Sequence, residues 1–176
     1  MKRSSGILAH VSSLPGPYAT GTMGKSAYAF IDYIRQLGFS HWQILPLNPP
    51  GKGDSPYTAL CAFAGNPNFI DPELLAEDGL LTPAEAERAK CPEAKYACRY
   101  RSAEQTQMAL LSTAFSRADE TLYDKLALFE RQNEYWLTDY ALYMSLKHHF
   151  DQLPWWSYPD EGLRLHQESA LSHWSK

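Results

Sequence analysis

The sequence predicts an α/β fold in which a strand, a helix and a second strand are followed by a mainly helical region. Two short apolar runs, each followed by a loop rich in Pro and Gly, indicate buried strands. Apolar residues at helical spacing lie between these two runs, and residues typical of helix caps recur from residue 71 onward. We therefore expect two parts, residues 1–71 and 72–176. With 176 residues, 44% of them hydrophobic, the chain can form a sizeable core.

The first predicted strand is the apolar run Ile7–Val11. Gly6 precedes this run, and a Ser/Pro/Gly segment, residues 12–17, follows it. Such boundaries are typical of a short strand that ends in a rigid loop.

An amphipathic helix is predicted next. We expect Ser26 to cap it, and Gly38 to end it in the left-handed conformation common after helices. Asp32 falls on the polar side of this helix. The apolar stripe consists of Ala27, Phe30, Ile31, Ile34 and Leu37.

The second predicted strand lies within Ser40–Leu47, where aromatic and β-branched residues precede several prolines. Two strands joined by one helix form a βαβ unit, whose strands are parallel. The loops at residues 12–25 and 46–70 should therefore leave the same edge of the sheet, where ligand-binding groups of such folds lie.

The predicted helical region opens with two short capped helices. Asp71 precedes Pro72 as an N-cap would, and Gly79 ends that helix. Thr82 and Glu85 have the spacing of a capping box.

Longer helices are predicted over residues 102–118, 121–131 and 133–150, from apolar residues three and four positions apart. At least four helices should lie between residues 72 and 150. Residues 162–176 are predicted to form a short helix or a frayed end.

Composition argues against several classes of function. Sixteen Lys and Arg against twenty Asp and Glu give a net charge of −4 without a basic block, so nucleic acid and membranes are not expected partners. No apolar stretch approaches the roughly 20 residues of a membrane span. Three cysteines without paired spacing and scattered histidines predict no metal site, and we expect no cofactor. The predicted location is cytoplasmic, and the oligomeric state is left open.

The segment Pro46–Pro67 has the most unusual composition in the chain. Five prolines and three glycines restrict some backbone angles and free others, which holds the side chains between them in defined positions. Aromatic residues make up 13% of the chain, and aromatic rings can stack on the apolar faces of sugars. Composition alone leaves two readings open for this segment, a binding loop and an ordinary structured turn region.

Several motifs in register resemble the 4-α-glucanotransferase family, the amylomaltases or disproportionating enzymes. Together they extend over most of the 176 residues. The matching segments are Arg3–Leu8, Ser13–Tyr18, Trp42–Leu47, Gly53–Tyr57, Phe63–Pro67, Trp136–Met144 and Pro154–Trp156.

This resemblance implies the N-terminal part of a (β/α)8 TIM barrel, with β1-α1-β2 in residues 1–71 and a helical insertion in residues 72–176. It implies a retaining transfer of α-1,4-glucan segments to another glucan or to glucose, with maltooligosaccharide as partner. Ser55 and Tyr57 match the family's contacts to the donor sugar, and we place Asp54 beside them as a substrate-binding residue or a brace of the turn. Lys52 stands where many relatives have a Tyr of a second glucan site.

The family's catalytic acids lie on later strands, in segments that do not occur in this sequence. Glu77 and Asp32 resemble them only superficially, because both are expected on exposed helix surfaces. We therefore predict no catalytic residue here and expect the chain to be a truncated part of an enzyme, inactive alone. A non-catalytic glucan-binding module and a helical interaction domain remain as alternatives.

Overall fold

The computed structural model of the chain describes residues 3–94 and 97–175. These residues form two compact units, of which the first ends at Asp119 and the second begins at Glu120. The elements are β1 (Gly6–Leu8), α1 (Lys25–Gln36), β2 (His41–Gln43), α2 (Pro72–Glu77), α3 (Pro83–Arg88), α4 (Tyr100–Ser116), α5 (Glu120–His149), α6 (Glu161–Arg164) and α7 (Glu168–Trp174).

Strands β1 and β2 pair in parallel, as predicted. Ile7 lies opposite Trp42 in the register, and the Ala9 amide donates to the Gln43 carbonyl at 3.0 Å. Both strands are shorter than predicted, with three residues each. The first ends early because the chain turns into a 3-10 helix at Val11–Ser13.

Helix α1 connects the two strands, and its cap differs from the prediction. Gly24, not Ser26, is the N-cap, because the Gly24 carbonyl already accepts from the Ala27 amide at 3.0 Å. Ser26 therefore lies inside the first turn. Gly38 ends the helix with a φ of 83°, as expected.

The core of the first unit forms where α1 packs over the strands and the loops that follow them. Val11, Leu14, Ala27 and Phe69 make a buried cluster. The apolar stripe of α1 is buried only in part: Ile34 is buried, whereas Ile31 and Leu37 are 43% and 53% exposed. A two-stranded sheet is too narrow to cover the whole helix face.

Helices α2 and α3 begin as the sequence predicts. Asp71 caps α2 by accepting from the amides of Glu73 and Leu74. Thr82 and Glu85 form the reciprocal bonds of a capping box at the start of α3. With α4 and α5 they make the four helices expected between residues 72 and 150.

The second unit begins with one 30-residue helix, α5, where two helices were predicted. The predicted break at Gln132 was wrong. Neither Gly nor Pro occurs there, and the Asn133 side chain donates to the Phe129 carbonyl at 2.8 Å, a bond compatible with a continuous helix.

The end of the chain folds back into two short helices. Asp160 caps α6 and also accepts a hydrogen bond from the Trp174 indole at 2.9 Å. Leu146, Tyr158 and Leu163 form the buried cluster of this unit. The division into barrel and insertion at residue 71 stays a prediction.

Candidate functional site

The two loops that leave the carboxyl ends of the strands are bonded to each other. The Met23 amide donates to the Phe69 carbonyl at 2.8 Å. The Thr22 hydroxyl donates to the Asp71 carboxylate, which also caps α2. The end of the second loop is therefore held against the end of the first, at the edge where a βαβ unit presents ligand-binding groups.

The segment Pro46–Pro67, the candidate loop, contains a short hairpin. The Gly51 amide donates to the Thr58 carbonyl at 2.6 Å, and the Leu60 amide donates to the Pro49 carbonyl at 3.0 Å. An antiparallel bridge joins Pro50 to Ala59. Residues 49–60, the tip hairpin, are thus a defined structure and not an open turn.

The tip hairpin carries all three residues predicted to contact the donor sugar. Its turn contains positive φ angles at Gly53 (91°) and Asp54 (56°), a conformation that Gly and Asp tolerate better than most residues. The Asp54 amide donates to the Gly51 carbonyl at 3.3 Å, so backbone bonds contribute to closing the turn.

Ser55 organises the backbone of the turn, and Tyr57 projects from it. The Ser55 hydroxyl accepts from the Tyr57 amide at 3.4 Å, and the Ser55 carbonyl accepts from the Thr58 hydroxyl at 3.0 Å. Tyr57 is 73% exposed. A ring held out in this way can stack on a sugar face while its hydroxyl forms hydrogen bonds.

The base of the candidate loop is closed by Leu47, Asn48 and Asn66. The Asn66 amide donates to the Leu47 carbonyl at 2.8 Å. The Asn48 side chain donates to the carbonyls of Ala62 and Ala64 at 3.0 and 3.1 Å. The loop is therefore anchored independently of its tip.

Ser12, which sequence reasoning did not single out, joins the first loop to the segment before α4. The Cys98 thiol donates to the Ser12 carbonyl at 2.7 Å, and the Tyr100 hydroxyl donates to the Ser12 hydroxyl at 3.0 Å. Burial raises the pKa of Tyr100, and the charge of Asp54 adds to this effect. No local pattern signals this cluster, because its members lie more than 80 residues apart.

His10 lies two residues after the end of β1 and packs edge-on against Phe69, with ring centroids 5.4 Å apart. Its burial lowers its pKa below the ordinary value for histidine. No sequence pattern placed this histidine in the packed region beside the loops.

The two acids that resemble catalytic residues lie on the surface. Glu77 forms an ion pair with Lys25 at 2.9 Å, in which both side chains are more than half exposed. Asp32 is exposed on α1, and Lys52 is exposed on the tip hairpin.

No three His, Cys, Asp or Glu side chains within residues 3–94 and 97–175 converge as metal ligands. In the same part of the chain, no helix has both the length and the apolar character required to cross a bilayer.

Comparison with known proteins gives one consistent result. The family model described as 4-alpha-glucanotransferase matches residues 9–176. A 4-alpha-glucanotransferase of Streptococcus pneumoniae serotype 4 is 40% identical over 97% of this chain and 34% of its own length. One from Aquifex aeolicus is 42% identical over 96% of this chain and 34% of its own length. The chain thus spans about a third of the length of these curated relatives.

A solved structure shares the architecture. Amylomaltase from Streptococcus agalactiae in complex with acarbose superposes with a TM-score of 0.89 at 32% identity, over 99% of this chain and 36% of that one.

Proposed function

The chain belongs to the 4-alpha-glucanotransferase family, and we propose that it forms part of an enzyme that transfers segments of α-1,4-glucan to another glucan or to glucose. The substrate class is maltooligosaccharide. The proposal is supported by the family match and by the likeness to an amylomaltase that binds acarbose. A cytoplasmic location stays a prediction.

We propose that β1, α1 and β2 are the first elements of a (β/α)8 barrel and that the helices after Asp71 belong to an insertion. The parallel pairing of β1 and β2 supports this, because barrel strands are all parallel. In such a barrel the loops after the strands surround the active site. The candidate loop follows β2 and fits that position.

The observation that carries the proposal for the site is the exposed ring of Tyr57 on a hydrogen-bonded hairpin. Tyr57 stacks on the donor sugar, and Ser55 and Asp54 supply a hydroxyl and a carboxylate for its hydroxyl groups. Because backbone hydrogen bonds close the hairpin, little further ordering of the protein opposes binding.

Retaining transfer requires a nucleophile and an acid/base, two carboxyl groups about 5–5.5 Å apart. We propose that neither group is in residues 1–176. Glu77 and Asp32 are surface acids, and the chain alone then forms no covalent glucosyl intermediate.

Tyr57→Ala tests the site in the enzyme encoded by the complete reading frame that contains this chain. Loss of one stacking and hydrogen-bonding side chain should lower kcat/KM for maltotriose by about 5- to 150-fold, equivalent to roughly 1–3 kcal/mol. Tyr28→Ala is the matched control, since Tyr28 is 65% exposed on α1, away from the hairpin. Unchanged kinetics for Tyr57→Ala would show that the hairpin does not contact the donor.

The 176-residue chain tests the assignment of the chemistry. It should release no glucose from maltotriose, whether or not it binds the sugar. Turnover that disappears in Glu77→Gln or Asp32→Asn would identify a catalytic acid within the chain. Binding without turnover by the complete protein would favour the glucan-binding module.

A further inference from the structure

The two arms of the candidate loop have unequal lengths near its base. Two backbone hydrogen bonds join the arms here, one from Leu60 to Pro49 and one from Asn66 to Leu47. Between these two bonds, the first arm contains a single residue, Asn48. Over the same interval the other arm contributes the five residues 61–65. The longer arm therefore forms a bulge next to the tip hairpin, in which Phe63 is exposed and Ala64 is buried.

Asn48 spans this bulge with its side chain. Its amide nitrogen donates to the Ala62 carbonyl at 3.0 Å and to the Ala64 carbonyl at 3.1 Å. A side-chain amide has two N–H donors, so both are used. The bulge carries Phe63, which is 59% exposed, between these two acceptors.

We propose that Asn48 is a positioning residue for donor binding: it holds the tip hairpin, and with it Tyr57, in one orientation relative to the bulge and to the base of the loop. The inference rests on the proposed function, because it takes α-1,4-glucan as the ligand of the hairpin. Asn48 does not touch the sugar. It acts by limiting the orientations that the Tyr57 ring samples before the donor arrives.

This role is separable from a role in the stability of the core. Asn48 bonds to the carbonyls of Ala62 and Ala64, of which Ala64 is buried, but neither alanine belongs to the core cluster of Val11, Leu14, Ala27 and Phe69. Replacing Asn48 should therefore loosen the loop and leave the fold of the unit in place.

Asn48→Asp is the most informative substitution, because it keeps the shape of the side chain and replaces its donor with a carboxylate oxygen that repels both carbonyls. Asn48→Ala removes the donors without adding charge. Asn133→Asp is the matched control, since Asn133 also donates its side-chain amide to a backbone carbonyl, but on α5.

Hydrogen exchange of the 176-residue chain measures the loop directly. In Asn48→Asp and Asn48→Ala, the amides of Leu60 and Asn66 should exchange about tenfold faster than in the wild type, while the amides of α1 keep their rates. Asn133→Asp should leave the loop amides unchanged. Equal exchange in the wild type and both Asn48 variants overturns the inference.

Kinetics of the complete enzyme show whether Asn48 acts through Tyr57. Asn48→Asp should raise KM for maltotriose about fivefold, the effect of roughly one hydrogen bond, with a smaller effect on kcat. In the Tyr57→Ala background the same substitution should have no further effect on KM. Equal effects in both backgrounds would show that Asn48 does not act through Tyr57 and would overturn the inference.

The outcomes separate this inference from the proposed function. If Tyr57→Ala raises KM and Asn48→Asp does not, only the positioning role fails. If Tyr57→Ala leaves both KM and kcat/KM unchanged, the hairpin does not bind the donor, and both proposals are overturned.

Discussion

Removing the Asp71 carboxylate should destabilise the junction between the two loops. Asp71 is 6% exposed and accepts from the amides of Glu73 and Leu74 at 2.8 and 3.4 Å. Its second oxygen accepts from the Thr22 hydroxyl. A Cβ on Gly24 would lie 1.8 Å from that oxygen, which shows how closely the first loop packs against the carboxylate.

Asp71→Ala should lower the free energy of unfolding by about 2–5 kcal/mol. Loss of an N-cap costs about 0.5–2 kcal/mol, and a hydrogen bond to a buried charged acceptor contributes about 1.5–3 kcal/mol. Asp71→Asn should cost less than half as much. Asn is a good N-cap, and its amide can donate to the Thr22 hydroxyl.

Urea unfolding followed by far-UV circular dichroism measures the difference. Asp32→Ala is the control for loss of an acid, because Asp32 is exposed on α1, and it should change stability by no more than about 0.5 kcal/mol. An Asp71→Ala protein as stable as the Asp32→Ala protein would refute the account of the junction.

Three further predictions concern other parts of the chain. Gly21→Ala should lower the free energy of unfolding, measured by urea denaturation, by about 1–3 kcal/mol or more, because the added Cβ would lie 2.0 Å from the Val11 carbonyl oxygen. Wild-type stability would contradict this packing. The Arg117 guanidinium holds the pKa of Glu85 well below 4.5, so this carboxylate stabilises the fold above that pH and loses its effect as pH falls. Glu85→Gln should therefore make the free energy of unfolding depend less steeply on pH below pH 4.5. An unchanged pH profile would refute the linkage. Gln132→Pro should lower the free energy of unfolding by about 3 kcal/mol or more relative to Gln132→Ala, because it interrupts a continuous α5. Thermal unfolding measures the difference. A proline that leaves stability unchanged would support the two separate helices predicted from the sequence.

Features set by neighbours in sequence were predicted correctly. The caps at Asp71 and Thr82 and the helix end at Gly38 depend on bonds or φ angles within a few residues, and all three are confirmed. The N-cap of α1 is the exception. Ser26 suits a cap by residue type, but Gly24 is favoured where the Asp71 side chain leaves no space for a Cβ.

The helix α5 shows a different limit of local reasoning. Gln132 lies between the two helices predicted over residues 121–131 and 133–150, and another polar residue, Asn133, follows it. In an exposed helix such residues cost little, since Asn133 donates to a carbonyl one turn earlier and both remain accessible to water. Two polar residues at this position therefore do not end α5, and neither Gly nor Pro accompanies them.

The candidate site also combines features set by neighbours in sequence with contacts between distant residues. The motif around Ser55 and Tyr57 was visible in the sequence through its resemblance to the family, because it lies in one continuous segment. The bonds from Asn48 to the bulge join residues 14 and 16 positions apart, and the cluster around Ser12 joins residues more than 80 apart. No periodicity or cap pattern encodes such pairs.

By itself the sequence determined the family, the parallel βαβ unit, the capped helices and the loop that carries Tyr57. The family was visible as a resemblance of several motifs in register, and the other features depend on the short-range spacing of apolar, capping and turn residues. The tertiary structure alone decided that Asp71 joins the two loops, that Ser12 meets Cys98 and Tyr100, and that the Asn48 side chain bonds to the carbonyls of Ala62 and Ala64. These contacts form only when distant segments pack together, because each polar group then finds a partner in place of the water that it loses.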